Sequence, residues 1–148
     1  MLGWTVQTTE GNGWPYQYFR ETLIGFMATH QPSAWMSNYG PFSLMPLTGV
    51  LQVQPSERAS HFSHENEQAL PYRYSVLLDA YKVKVDMAPS PHGGAFRFTF
   101  PKTEDACVVL DANHGGGSVE ILPEGNAIAG RNTSGARNSC RRSRCCGT

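Results

Sequence analysis

The stretch from Gly25 to Gly49 combines large aromatic rings, neutral polar side chains, Gly and Pro, and it contains no Asp, Glu, Lys or Arg. Trp35 offers a flat apolar face, and His30 and Gln31 offer hydrogen-bond donors and acceptors. A pyranose packs its apolar face on an aromatic ring while its hydroxyls bond to such polar groups. These residue types predict a sugar-binding site in which Trp35, His30 and Gln31 contact the ligand.

The same stretch also fits a purely structural interpretation. Trp, Met, Phe and Leu are most often core residues, and clusters of Pro and Gly most often form turns. In that case Trp35 fills the interior of the domain. Composition alone favours the structural interpretation, so the choice between the two depends on longer motifs.

A second group of titratable residues lies in the segment HFSHENE, which contains His61, His64, Glu65 and Glu67. At helical spacing His64 and Glu67 would share one face, and such a pair could hold a metal ion or exchange a proton. The spacing is not that of a zinc site, however, and a single polar turn is more often solvated surface or a helix cap. We therefore expect this element to be structural.

The segment DANHGGG from Asp111 to Gly117 has the composition of acidic, glycine-rich calcium loops, because Asp and Asn oxygens suit a hard cation. It lacks the alternating ligands and the terminal Glu of an EF-hand. A flexible hairpin loop without a metal ion is the favoured interpretation.

The elements that must position these residues are strands. Apolar and polar side chains alternate over 82–87 and 95–100, and the Pro- and Gly-rich connection 88–94 predicts a hairpin with a longer loop. Glu65 to Leu70 predicts one helical turn, which Pro71 ends. Short strands at this spacing predict an all-β fold, an antiparallel β-sandwich. Further strands are predicted over 16–23, 42–45, 74–78, 106–110, 118–122 and 126–129.

Charge divides the chain into two parts. The 148 residues have a formal net charge of zero, but residues 1–130 hold all 12 acidic residues and seven of the 12 basic ones, whereas 131–148 hold five Arg. We expect one partial β-sandwich domain over 1–130 and a disordered Arg- and Cys-rich tail over 131–148, because the tail has no large aliphatic side chain to bury. We interpret the tail as a reading-frame or gene-model artefact.

Several other classes of protein and partner are not indicated. The four Cys have neither the spacing of a disulfide framework nor that of a zinc site. No apolar run approaches the ~20 residues that span a bilayer, and Met1 is not followed by a signal-peptide pattern. Five Arg without interleaved aromatic residues are weak evidence for phosphate binding. We expect no nucleic-acid partner and no membrane partner, and the cellular location stays open.

Longer motifs resemble one enzyme family. The run IGFMATHQPSAWMSNYGPFSLMPLTG, from Ile24, resembles the N-terminal domain of family 92 of the glycoside hydrolases, the calcium-dependent α-mannosidases. HFSHENEQALPYRYSVLL, from His61, is similar to a second block of that family, and the stretch from Lys82 to Pro101 is similar to its next hairpin. The resemblance extends from about residue 14 to about residue 130 in the family's order.

This resemblance implies a function for the first motif. In the family a Trp of this segment faces a sugar pocket at the junction of two domains, which implies the same role for Trp35. Relatives often have Asp where this chain has Asn38, so a charge-assisted contact at that position is in doubt. Mannose-containing glycans are the implied ligands.

The resemblance also implies what this chain does not supply. Inverting glycoside hydrolysis needs a carboxylic acid and a carboxylate base about 6.5–9.5 Å apart. The family's acid, base and most calcium ligands belong to a C-terminal (α/α) barrel, so we expect no catalytic residue and no calcium ligand here. The chain is expected to be an N-terminal fragment of an exo-acting α-mannosidase, inactive alone, with that barrel as its partner. The alternative is a stand-alone carbohydrate-binding β-sandwich without catalysis.

Overall fold

The computed structural model describes residues 3–9, 15–29, 39–112, 117–122, 124 and 126–132. Within these ranges nearly all regular structure is β-strand, and a short 3-10 turn spans His64–Asn66. The strands are β1 (Gly3–Gln7), β2 (Thr22–Leu23), β3 (Gly25–Thr29), β4 (Tyr39–Thr48), β5 (Ser60–His61), β6 (Gln68–Leu70), β7 (Arg73–Leu78), β8 (Val83–Ser90), β9 (Gly93–Thr99), β10 (Ala106–Asp111), β11 (Gly117–Leu122) and β12 (Ala127–Asn132).

Two four-stranded antiparallel sheets form the body of the domain. One has the order β1-β3-β4-β10 and the other the order β6-β7-β8-β9. Side chains from both sheets pack into one apolar core, so the predicted all-β sandwich is confirmed. The buried members of this core are Val6, Leu23, Phe26, Met45, Leu47, Phe62, Tyr74, Val76, Leu78, Val83, Val85 and Met87.

The predicted hairpin over 82–100 is confirmed, but its loop is much shorter than expected. In β8 the side chains of Val83, Val85 and Met87 are buried, while Lys84 is exposed, as the alternation indicates. Pairing with β9 continues past Met87 to Ser90, which pairs with Gly93 and leaves two residues in the turn. Proline is tolerated at position 89 because β7 pairs with β8 only as far as Met87, so the missing N–H breaks no bond to β7.

Three other predictions need correction. The strand predicted over 16–23 is reduced to β2, because Arg20 N donates to Gln17 O at 3.0 Å and closes a turn before it. The helical turn predicted from Glu65 to Leu70 is a 3-10 turn that ends at Asn66, after which β6 pairs with β7. Strands β1 and β3 lie where no strand was predicted.

The remaining strand predictions are confirmed within a few residues by β4, β7, β10, β11 and β12. β12 extends to Asn132, two residues into the segment predicted as a disordered tail, and 133–148 lie outside the described residues. Within the described ranges, no helix has the length and apolar character that crossing a membrane requires.

Candidate functional site

The three predicted sugar contacts, His30, Gln31 and Trp35, lie outside the described residues, but the strands that flank them are described. β3 ends at Thr29 and β4 begins at Tyr39, and these two residues are paired in the antiparallel register. β3 is buried at every position and lies between β1 and β4. The segment 30–38 is therefore the connection of a hairpin whose two ends are fixed by the first sheet.

The described part of the chain contains an open groove of about 620 Å³ beside the second sheet. It combines aromatic rings with titratable groups, as a small-molecule site or a structural polar cluster would. The residues that give the groove this character are Trp4, Tyr16, Tyr18, His64, Glu67 and Tyr74.

The carboxylate of Glu67 is the centre of this groove. Its side chain is only 8% exposed, and it accepts hydrogen bonds from Tyr74 Oη at 2.6 Å and from Tyr16 Oη at 3.1 Å. His64 Nδ1 lies 2.5 Å from Glu67 Oε2. The 3-10 turn explains this pairing, because residues three apart in such a turn lie on the same side. We refer to Glu67, His64, Tyr16 and Tyr74 as the Glu67 cluster.

The structure thus joins His64 and Glu67, as their spacing indicated, but it does not bring His61 or Glu65 into the cluster. Both of these side chains are exposed. Glu65 instead donates its backbone N–H to Ser63 Oγ at 3.2 Å, which caps the turn. Sequence reasoning missed Tyr16, which is 51 positions from Glu67, and Tyr74, which the β6–β7 hairpin brings back beside Glu67.

The three side chains around Glu67, which belong to Tyr16, His64 and Tyr74, act as hydrogen-bond donors to its carboxylate. Burial, together with the Glu67 charge, raises the pKa of Tyr16 to about 12. Burial also raises the pKa of Tyr74, and its hydrogen bond to Glu67 raises it further. The hydrogen bond to Glu67 raises the pKa of His64 above its usual 6.5, although desolvation opposes this. Glu67 thus links three side chains through its two oxygens, so it is suited to holding the groove together.

A second polar cluster surrounds the buried guanidinium of Arg58, which is 1% exposed. Arg58 Nη2 donates to Asp111 Oδ2 at 2.6 Å, Nη1 to the carbonyl of Val53 at 2.9 Å, and Nε to the carbonyl of Ile24 at 3.3 Å. Nothing in the local sequence pattern indicated this role for Arg58. Its effect is to fasten the 49–59 loop to the residue before β3 and to the last residue of β10.

This cluster bears on the calcium-loop pattern that begins at Asp111. One carboxylate oxygen of Asp111 is bonded to Arg58, so this group is not free in the way that a calcium ligand must be. Residues 113–116 of the pattern lie outside the described ones. Among the residues that the structure describes, no group of three or more His, Cys, Asp or Glu side chains could hold a metal ion. The described residues therefore do not fit a calcium site.

With this geometry established, comparison with known proteins assigns the family. The family model described as the glycosyl hydrolase family 92 N-terminal domain matches residues 1–145. The chain belongs to glycoside hydrolase family 92. The match extends beyond the motif blocks between residues 14 and 130 in both directions, which confirms the resemblance seen in the sequence. No curated protein matches the chain.

Solved structures of family 92 enzymes from Bacteroides thetaiotaomicron share this fold. An inverting mannosidase is 43% identical, with a TM-score of 0.77 over 86% of this chain. An α-mannosidase is 30% identical, with a TM-score of 0.65 over 76% of this chain, and its complex with mannoimidazole gives the same values. This family 92 chain spans only about 17% of the length of these relatives.

Proposed function

We propose that this chain forms the N-terminal β-sandwich domain of an exo-acting, inverting, calcium-dependent α-mannosidase. In this proposal His30, Gln31 and Trp35 supply part of the wall of the sugar pocket, and the chain does not hydrolyse glycosides alone. The observation that carries the proposal is the 43% identity over 86% of the chain to an inverting mannosidase of which it spans 17%.

The frame around the predicted sugar contacts supports this role. A loop that takes part in binding needs rigid ends, because ordering a mobile loop costs conformational entropy when the ligand binds. Thr29 and Tyr39 are paired, and Thr29 also pairs with Gly3 on the other side of β3. The segment 30–38 thus follows a residue that is paired on both sides, Thr29, and precedes Tyr39, which is paired with Thr29.

Three of the described carboxylates are held in structural contacts, which supports a domain that assists catalysis without performing it. Inverting hydrolysis needs one protonated and one ionised carboxyl group with space for a water molecule between them. Glu67 accepts from three donors, Asp86 is paired with Arg73, and Asp111 is paired with Arg58. Each of these partners occupies carboxylate oxygens that the reaction would need. The proposed reaction therefore takes its acid, its base and its calcium ion from the catalytic domain of the family.

Exposed apolar residues support a contact with further polypeptide. On the β11–β12 hairpin, Ile121 and Ile128 are directly paired and are 73% and 59% exposed, and Val119 on the same face is 51% exposed. Val50 and Leu51 in the 49–59 loop are also exposed. Apolar groups clustered on a surface commonly mark a site of contact with another protein surface. The (α/α) barrel of the family is the proposed partner.

An activity assay tests the proposal. The purified chain, incubated with calcium and an α-mannobioside, is expected to release no mannose, whereas a family 92 mannosidase run beside it releases mannose. Turnover that increases in proportion to the concentration of this chain and persists through repeated purification would refute the proposal. Titration of tryptophan fluorescence with mannose oligosaccharides, compared between the wild type and Trp35→Phe, separates a weak half-site from a self-sufficient binding module. Tight binding that Trp35→Phe abolishes would identify the module.

A further inference from the structure

Both ring nitrogens of His64 face oxygen atoms that act as acceptors. Nδ1 lies 2.5 Å from Glu67 Oε2, and Nε2 lies 2.7 Å from the backbone carbonyl oxygen of Tyr18. A neutral imidazole carries only one N–H, and a carbonyl oxygen cannot donate. The two contacts are therefore both hydrogen bonds only if the His64–Glu67 pair holds one more proton than a neutral imidazole beside a carboxylate.

The position of that proton follows from the surroundings of Glu67. The same carboxylate accepts from Tyr74 at 2.6 Å and from Tyr16 at 3.1 Å. Because two phenol groups already donate to this carboxylate, we place the additional proton on the ring, which then donates to both oxygens. We propose that His64 is an imidazolium that clasps the Tyr18–Arg20 turn to Glu67, and that loss of its proton releases this turn from the groove. This inference does not depend on the proposed enzymatic role.

Charges on each neighbouring element favour the cation. Glu67 contacts the ring directly, and Glu21, on the segment that carries Tyr18, adds a negative charge nearby. The phenols of the cluster stay neutral, because the pKa values of Tyr16 and Tyr74 are raised. Arg73, the cation that lines the same groove, is already paired with Asp86. In the described contacts of His64, no other cation lies against the ring.

The Tyr18–Arg20 turn meets the body of the domain through His64 in two ways. Besides the hydrogen bond to its carbonyl oxygen, the ring of Tyr18 stacks on the imidazole with a centroid distance of 4.2 Å and an angle of 13°. The side chains of Tyr18 and Phe19 are 69% and 75% exposed, so little apolar burial holds the turn in place. Anchors lie on either side of it, where Gln17 N donates to Thr8 Oγ1 at 2.8 Å and Phe62 N donates to the Glu21 carbonyl at 3.0 Å.

Deprotonation of His64 removes the hydrogen bond to the Tyr18 carbonyl oxygen. The remaining proton stays on Nδ1, because a carboxylate is a stronger acceptor than a carbonyl. The lone pair of Nε2 then faces the lone pairs of the Tyr18 oxygen at 2.7 Å, which is repulsive. Since the folded pKa of His64 is raised, the clasp is complete below the ordinary histidine pKa of about 6.5 and is lost as the pH rises through the higher folded value.

NMR spectroscopy of the full chain tests this inference. The ¹⁵N shifts of the His64 ring, assigned by comparison with His64→Gln, are expected to show two protonated nitrogens at pH 6 and to titrate above the value of free histidine. Amide protection of Arg20, whose N–H donates to Gln17 O within the turn, is to be corrected for intrinsic exchange rates and is expected to fall roughly tenfold over the same pH range, as the loss of one charge-assisted hydrogen bond predicts. Glu67→Gln is expected to lower the pH at which His64 titrates.

His61→Gln is the matched control, because the His61 side chain is exposed and lies outside the cluster. It is expected to leave the titration of the turn unchanged. If His64→Gln does not fold, the wild-type titration still decides the question. A ring with a single protonated nitrogen at pH 6, or a turn whose protection stays constant while His64 titrates, would overturn the inference.

Discussion

The buried ion pair between Arg58 and Asp111 allows a quantitative prediction of how a substitution changes the free energy of unfolding. The Arg58 side chain is 2% exposed and the Asp111 side chain 26% exposed, with 2.6 Å between Nη2 and Oδ2. Asp111→Ala removes the carboxylate and leaves the guanidinium with two carbonyl acceptors but without a counter-charge. Breaking such a pair costs about 3–5 kcal/mol in the free energy of unfolding, because an uncompensated charge remains buried. Since Asp111 is partly exposed, water can partly replace it, and we expect the lower end, about 3 kcal/mol.

Urea unfolding of the 148-residue chain at pH 7 measures this cost. With a typical slope of about 1–3 kcal/mol per molar urea, the midpoint is expected to fall by about 1–3 M. Asp105→Ala is the matched control, because the Asp105 side chain is exposed near the start of the same strand, and its substitution is expected to cost less than about 0.5 kcal/mol.

A double variant separates the charge from the other contacts. Arg58→Met combined with Asp111→Ala removes the buried cation together with its partner, so the double variant is expected to be more stable than Asp111→Ala alone. A midpoint for Asp111→Ala that matches the Asp105→Ala control would refute the reasoning. So would a double variant whose loss equals the sum of the two single losses, because the pair would then have no coupling energy.

Two further predictions concern the groove side of the domain. Gly94→Ala is expected to lower stability by about 1–3 kcal/mol in thermal unfolding, because an added Cβ would lie 2.5 Å from Trp4 Nε1. Gly93→Ala is the control and is expected to be near neutral, because its Cβ would meet only a contact at 3.6 Å. Equal effects of the two substitutions would contradict the steric argument. The Arg73 hydrogen bond lowers the pKa of Asp86, so its contribution to stability is present above the ordinary pKa of 3.8 and is lost as the pH falls through the lower folded value. Arg73→Gln is expected to reduce the stability that is lost at acid pH by less than about 1 kcal/mol, because the Arg73 side chain is 45% exposed. An unchanged loss of stability at acid pH would show that the pair contributes nothing.

The outcomes for β8 and for β3 show how a strand prediction depends on the alternation of buried and exposed side chains. The hairpin of β8 and β9 was predictable because Lys84 is exposed between the buried Val83 and Val85. β3 is buried at all its positions, so it shows no alternation, and its sequence GFMAT was assigned to a ligand-binding stretch rather than to a strand. The turn length between β8 and β9 was wrong because Pro89 was assumed to end pairing, which it does only where a partner needs its N–H.

The polar clusters show a different limit of sequence reasoning. The pairing of His64 with Glu67 follows from local spacing, and the sequence indicated it. Tyr16, however, is separated from Glu67 by 51 positions, and Arg58 from Asp111 by 53. No local period encodes such partners, because the fold alone brings the segments together. The sugar contacts His30, Gln31 and Trp35 stay predictions, since they lie outside the described residues.

The buried polar contacts of the domain hold its loops at fixed positions on the sandwich. Arg58 joins the 49–59 loop to Ile24, the residue before β3, and to Asp111 at the end of β10. β3 and β4, which carry the segment 30–38 between them, lie within the sheet that Arg58 fastens. These charged groups serve to fix the geometry of the domain, because the carboxylates of Glu67, Asp86 and Asp111 are each bonded to a donor. In the proposed function this is an advantage, because fixed flanking strands lower the entropy cost of binding a sugar.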